Sequence, residues 1–215
     1  MSSFYSREEL LHLGLQEYGE NVLISRKASL YNVSDIRIGS HVRIDDFVIL
    51  SGKITIHNFV HIGAFSVLIG GNEGIEIQDF TGVSLGCKIL SSSDDFSGNT
   101  LSNPMIPKEF KNVQSVKITL QKHALLGSGS VVLPNSGGLA QGVSVGALSL
   151  VTRPTKPFGI YFGNPAKRIL EREKNLLVLE KQFLAKLDSI NLTQDTINTR
   201  VANNLRGGGG QRLVG

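Results

Sequence analysis

The chain has 215 residues, 40% hydrophobic and 19% charged, with a net charge of +4 and one cysteine, Cys87. That length fits one main domain with a sizeable core, and a lone cysteine excludes an internal disulfide or a thiolate zinc cluster, which points to a reducing, cytoplasmic setting. No basic stretch followed by an apolar run opens the chain and no run of about 18 apolar residues occurs, so neither secretion nor membrane spanning is expected. The scattered Lys and Arg suit a small anionic ligand better than a nucleic-acid groove.

In chain order, Ser6 with Glu9 has the form of a capping box, opening a short helix that Gly14 stops; residues 1–20 form a helical cap over the first coil of the repeat described next in the chain. From Ile38 a six-residue period takes over, with large aliphatic anchors at Ile44, Leu50, Ile56, Ile62 and Leu68. After an insertion at Asn72 to Glu76 the frame resumes at Ile77, Val83 and Ile89, then at Leu120, Leu126 and Val132, and again at Leu139, Val145 and Val151. Four residues after most anchors stands a small or β-branched residue, among them Ser66, Thr81, Cys87, Ala124, Ser130 and Ser149, and Gly often follows the anchor, as at Gly39, Gly63, Gly127 and Gly146. The frame is absent between residues 92 and 115, a loop too long to be a simple connection in a regular repeat, and the run Asn135 to Gly138 adds one residue at a corner. Asn164 followed by Pro165 reads as a helix start; the spacing predicts a C-terminal helix within 158–190, running through about Ser189, with Ile169, Leu170, Leu176, Leu177, Phe183, Leu184 and Leu187 on one stripe. Residues 191–215 show no apolar period and are expected to form a mobile tail.

A period of six matches neither the helical turn nor plain strand alternation, so the chain must bend once per hexad. A short strand and a corner in each hexad do this, and three such faces close one coil of a prism that buries its apolar side only against neighbouring coils. The expectation is an all-β solenoid, a parallel β-helix over residues 21–157. Its hand does not follow from the period.

The hexads resemble those of the hexapeptide-repeat acyltransferase superfamily, and Gly163 to Ile169, GNPAKRI, is similar to the segment with which its sugar and maltose acetyltransferases leave the last coil. The resemblance implies a left-handed helix. The stretches SFYSREEL, NVLIS, VRIDDF, LSGKITI, DDFSGN and Phe110 to Val113 further resemble the nucleotide-aminosugar N-acyltransferases of anthrose biosynthesis. That implies a homotrimer with active sites between subunits, moving an acyl group from acyl-CoA to the 4-amino group of a dTDP-linked 4-amino-4,6-dideoxyhexose for surface-glycan biosynthesis.

Maltose-type relatives, which acylate hydroxyls, carry a His where the chain enters the loop; here Asp94 and Asp95 stand there. A hydroxyl needs a strong base, whereas an amine is already partly neutral and needs orientation and a proton acceptor, so the exchange points to an amine. By resemblance, Ser84 and Asp94 lie at the sugar amine; Asp95 is an alternative for Asp94, and His123 is either a ligand contact or an outward-facing surface residue. The superfamily would place Arg153, Lys156, Lys167 and Arg168 around the phosphates of coenzyme A, and Gly127, Ser128 and Ala147 along its pantetheine arm. Cys87, in the small inward slot, reads as a buried filler. His57 and His61 are spaced unlike the zinc ligands of γ-class carbonic anhydrases, so no metal is expected. The open alternatives are an O-acetyltransferase, a γ-class zinc hydratase and a non-enzymatic solenoid. The sequence leaves open the acyl chain length, the sugar stereochemistry and the nucleotide.

Overall fold

The computed structural model describes residues 3–190, which divide into two compact units at Arg172 and Glu173. The first is a left-handed β-solenoid of about seven coils with three faces. One face stacks Val22–Ile24, Val42–Ile44, Val60–Ile62, Gly82–Val83, Leu125–Leu126, Ser144–Val145 and Gly159–Phe162; all but the first of these pairs parallel with the strand one coil below. The register turns the sequence anchors into columns. On this face Ile24, Ile44, Ile62, Val83, Leu126, Val145 and Tyr161 are successive Cα partners. On the second face Leu30, Leu50, Leu68, Ile89, Val132 and Val151 align, and on the third Tyr18, Ile38, Ile56, Ile77, Leu120 and Leu139. Nearly all are fully buried, and each large side chain withdrawn from water is worth about 1.5–3 kcal/mol, so the columns supply most of the folding drive.

The small inward slots do more than leave room. Ser66 Oγ donates to the Ser84 carbonyl (2.9 Å) and accepts from the Cys87 N–H (3.2 Å); Ser130 Oγ does the same with the Gly146 carbonyl and the Ser149 N–H, and Ser149 Oγ accepts from the Gly163 N–H. Each buried hydroxyl therefore ties its corner to the next coil, which offsets its own desolvation. Cys87 fills the same slot, its thiol pointing to the Gly127 carbonyl at 3.2 Å, and burial pushes its pKa up.

The third residue after a first-face or third-face anchor makes the bend in left-handed backbone: His41, Phe47, Phe59, Phe65, Phe80, His123 and Leu148 all have φ between 57° and 64°. At one corner His41, Phe59, Phe80 and His123 stack with ring centroids 4.8, 4.9 and 5.2 Å apart, the coil spacing expressed in side chains.

The N-terminal helix, Arg7–His12, has the predicted capping box, with Ser6 and Glu9 exchanging hydrogen bonds. The prism starts earlier than expected, because Glu17–Tyr18 already pairs with Ile36–Ile38. Residues 92–115 leave the prism through an antiparallel neck, Ser92–Ser93 with Gln114–Ser115, and the chain rejoins at Ile118–Leu120. The helix expected from Asn164 is corrected. Gly159–Phe162 completes the first face, the chain turns at Gly163 (φ 103°), and Lys167–Glu171 returns antiparallel beside it. An open sheet edge offers ladder bonds that outweigh local helical preference, and Ile169 and Leu170 are left 56% and 63% exposed. The second unit is helical from 176 to 190 and carries Leu176, Leu177, Phe183, Leu184 and Leu187 of the predicted stripe. The tail expected over 191–215 lies outside the described residues.

Ile62 sits mid-column at 0% exposure, so Ile62→Ala is expected to cost roughly 2–5 kcal/mol and Ile62→Val roughly 0.5–1.5 kcal/mol in chemical denaturation.

Candidate active site

The prism geometry distributes the candidate residues over its corners. Ser84 follows Gly82–Val83 at the corner between the first and second faces. Its N–H donates to the Leu126 carbonyl, Gly127 N–H to Val145 and Gly146 N–H to Tyr161, so Ser84, Gly127 with Ser128, and Gly146 with Ala147 rise along one edge in successive coils. The structure thus brings Ser84 together with three of the proposed pantetheine contacts. Ser128 and Ala147 are exposed on that edge. Gly127 has a structural duty as well: a Cβ there would lie 2.6 Å from the Ala147 nitrogen and the Val145 oxygen.

Asp94 and Asp95 lie at the next corner, beyond the strand Lys88–Leu90, half-buried in a cavity of about 310 Å³ shared with Phe96, Gln114, Pro134 and Asn135. A whole face separates that corner from Ser84; five extended residues span roughly 15 Å. Within one chain the strand Lys88–Leu90 lies between the corners of Ser84 and Asp94. His123 occupies the third corner, 8% exposed and stacked on Phe80, while its carbonyl accepts from Arg172 (2.8 Å). It is neither outward-facing nor beside Ser84 or Asp94, because the left-handed corner position directs its ring into the aromatic stack.

The two carboxylates differ in what they hold. Asp95 accepts from the Ser97 N–H (2.8 Å), the Ser97 hydroxyl (2.9 Å) and the Thr100 hydroxyl (3.1 Å), and these donors, the Ser97 N–H first, lower its pKa. Asp94 accepts from the Asn103 N–H through Oδ2 at 3.2 Å. Asp95 thus ties the loop at Ser97 and Thr100, and Asp94 ties it at Asn103.

The four cations are spread over the last coils rather than gathered. Lys167 lies opposite Phe162, one coil beyond Gly146 on the Ser84 edge, whereas Arg153 follows Leu150–Val151 at the corner of Asp94. Arg168 pairs with Glu171 at 2.5 Å, and the Lys156 N–H donates to the Tyr161 hydroxyl. His57 and His61 contact different carboxylates, Glu76 at 3.1 Å and Asp45 at 2.7 Å, and among the described residues no group of three or more His, Cys, Asp or Glu could hold a metal ion. No described helix is long and apolar enough to cross a membrane.

The relatives share this architecture. A curated dTDP-4-amino-4,6-dideoxy-D-glucose acyltransferase of Escherichia coli is 43% identical over 178 residues, covering 81% of this chain and 92% of the relative. The crystal structure of a serine-to-cysteine mutant of AntD, an N-acyltransferase from Bacillus cereus, in complex with dTDP-4-amino-4,6-dideoxyglucose and coenzyme A, is 46% identical with a TM-score of 0.84, over 86% of this chain and 99% of that one. Other structures of AntD hold dTDP with 3-hydroxybutyryl-CoA, or carry replacements of a serine or an aspartate. A hexapeptide-repeat acetyltransferase of Vibrio cholerae, at 15% identity and a TM-score of 0.53 over 78% of this chain and 80% of that one, shares the fold. No family model matches the sequence. The fold is that of a hexapeptide-repeat acyltransferase. Within that class the chain belongs to the family of dTDP-4-amino-4,6-dideoxyglucose acyltransferases.

Asp95→Ala is expected to open residues 96–103 to limited proteolysis at neutral pH, with Asp94→Asn leaving them protected. Because the folded pKa of Asp95 is depressed, its contribution to loop order is present above the ordinary aspartate range and lost as pH falls through the lower folded value, which hydrogen exchange would register as protection fading on acidification.

Proposed function

We propose that this protein transfers an acyl group from acyl-CoA to the 4-amino group of dTDP-4-amino-4,6-dideoxyglucose, as a cytoplasmic homotrimer serving surface-glycan biosynthesis. The observation that carries this reading is the continuous edge on which Ser84 stands in line with the exposed Ser128 and Ala147, in a chain 46% identical to an N-acyltransferase seen with the aminosugar nucleotide and coenzyme A. Along that edge the pantetheine arm of the acyl donor brings its thioester to Ser84, with Lys167 as a phosphate partner at the far coils and Arg153, at the Asp94 corner, reaching the phosphates from the neighbouring subunit.

The reaction needs a neutral amine, a place for the oxyanion and a destination for one proton. The amine lone pair attacks the thioester carbon, forming the C–N bond; the C–S bond breaks, and the departing thiolate, with a thiol-like pKa of about 8.5, takes the proton the amine releases. Ser84 supplies a hydroxyl partner to the amine and Asp94 orients it. The roughly 15 Å between their corners supports a site between subunits, in which Ser84 of one works with the carboxylate of a neighbour.

Thiol release from acetyl-CoA and larger acyl-CoAs, dependent on dTDP-4-amino-4,6-dideoxyglucose, tests the activity. Asp94→Asn is expected to lower kcat by roughly 10²–10⁴-fold. Mixing inactive Ser84→Ala and Asp94→Asn chains under exchange conditions is expected to restore about one quarter of the wild-type sites, the share that random assembly builds from one intact residue of each parent. No recovery, with both parents shown to exchange subunits, would overturn the shared site.

A further inference from the structure

We infer that Phe65 and Gly86 form a stacking seat for the pyranose ring of the acceptor, with Gly86 in the coil of Ser84 and Phe65 one coil below; this rests on the reading that places the acceptor amine at Ser84. Five residues occupy equivalent left-handed positions up the Ser84 edge: Phe47, Phe65, Gly86, Gly129 and Leu148, each upper N–H donating to a corner carbonyl of the coil below. Phe47 and Phe65 stack, with ring centroids 5.0 Å apart and planes 18° from parallel. Above Phe65 the ladder of side chains stops at Gly86, in the coil that carries Ser84.

Glycine is the least strained residue at such a φ, yet three of the five equivalent corners hold a side chain. The Gly86 φ of 69° is close to the 60°, 63° and 58° that Phe47, Phe65 and Leu148 adopt at the same corner, and a Cβ on Gly86 would meet only the Gly129 nitrogen, at 4.0 Å. A side chain would fit there, and its place is open. Phe65, 61% exposed, turns an aromatic face toward that place, while Ser84 stands two residues before it in the same corner.

A ring stacked on Phe65 at the spacing set by Phe47 would take the height of Gly86, since coils repeat every ~4.8 Å. The acceptor sugar has the matching chemistry. In the gluco configuration every substituent from C2 to C5 is equatorial, so the ring faces are lined by C–H bonds and the 6-deoxy carbon adds a methyl group, giving an apolar face for the aromatic ring and an amine projecting sideways toward Ser84. Phe65 thereby positions the acceptor, and Gly86 keeps the seat vacant.

Steady-state kinetics of the full-length assembled enzyme separate this seat from other roles. Phe65→Ala is expected to raise KM for dTDP-4-amino-4,6-dideoxyglucose by roughly two- to tenfold, the range of one aromatic contact, with KM for acyl-CoA unchanged and Phe65→Tyr restoring wild-type values. Gly86→Leu, which places at this corner the side chain found at residue 148, is expected to abolish binding of the sugar nucleotide in calorimetry while coenzyme A binding and the assembly size persist. Unchanged acceptor KM in Phe65→Ala, an equal rise in both KM values, or loss of assembly in that variant would overturn the seat. Absence of acceptor-dependent turnover in the wild type would instead sink the acyl-transfer reading itself.

Discussion

Everything in the first unit depends on the parallel pairing of each coil with the next at a fixed register. A hexad by itself buries nothing; its strand has unpaired N–H and C=O groups on both sides and its anchor faces an empty interior. Stacking satisfies both needs at once, since the pairing that closes the backbone ladder also sets Ile44 over Ile24 and Ile62 over Ile44. A slip of one residue would turn a whole column outward, so the register is held by the same apolar residues that gain from it.

Function is arranged on top of that constraint. A prism has no natural cleft, and its three corners carry the candidate residues apart from one another. The edge with Ser84 runs along the solenoid axis and suits a long, thin substrate arm; the excursion loop projects from the next corner and carries Asp94. Rigid coils fix positions along an edge to within the backbone spacing, and the reacting groups inherit that precision. Chemistry between corners then requires a second copy of the chain, the sense in which assembly and catalysis are coupled in this reading.

Stability and specificity use the same positions. The residue three places after an anchor bends the chain, and when it is aromatic it also stacks, as His41, Phe59, Phe80 and His123 do. His123 is then one ring of that stack. Its place there was legible in the sequence: His123 falls three residues after Leu120, in step with Phe80 after Ile77 and Phe65 after Ile62. The same step brings Gly86 after Val83 and Gly129 after Leu126, two corners without a ring.

The sequence by itself determined the inward columns, the small slots, the capping box at Ser6 and the place of the excursion, because all of these follow from a local period whose physical cause, burial of one residue per bend, needs no distant partner. It also marked Ser84 and the Asp94–Asp95 pair through their likeness to known acyltransferases. Tertiary structure decided the rest. Which aspartate is engaged depended on Ser97 and Thr100 folding back onto Asp95, contacts that no period encodes. Gly159–Glu171 became a hairpin because an open sheet edge was available to it, a fact of the neighbouring coil and not of the residues themselves. The separation of Ser84 from Asp94 came from three-sided closure, which puts residues ten apart in sequence on different corners of one coil.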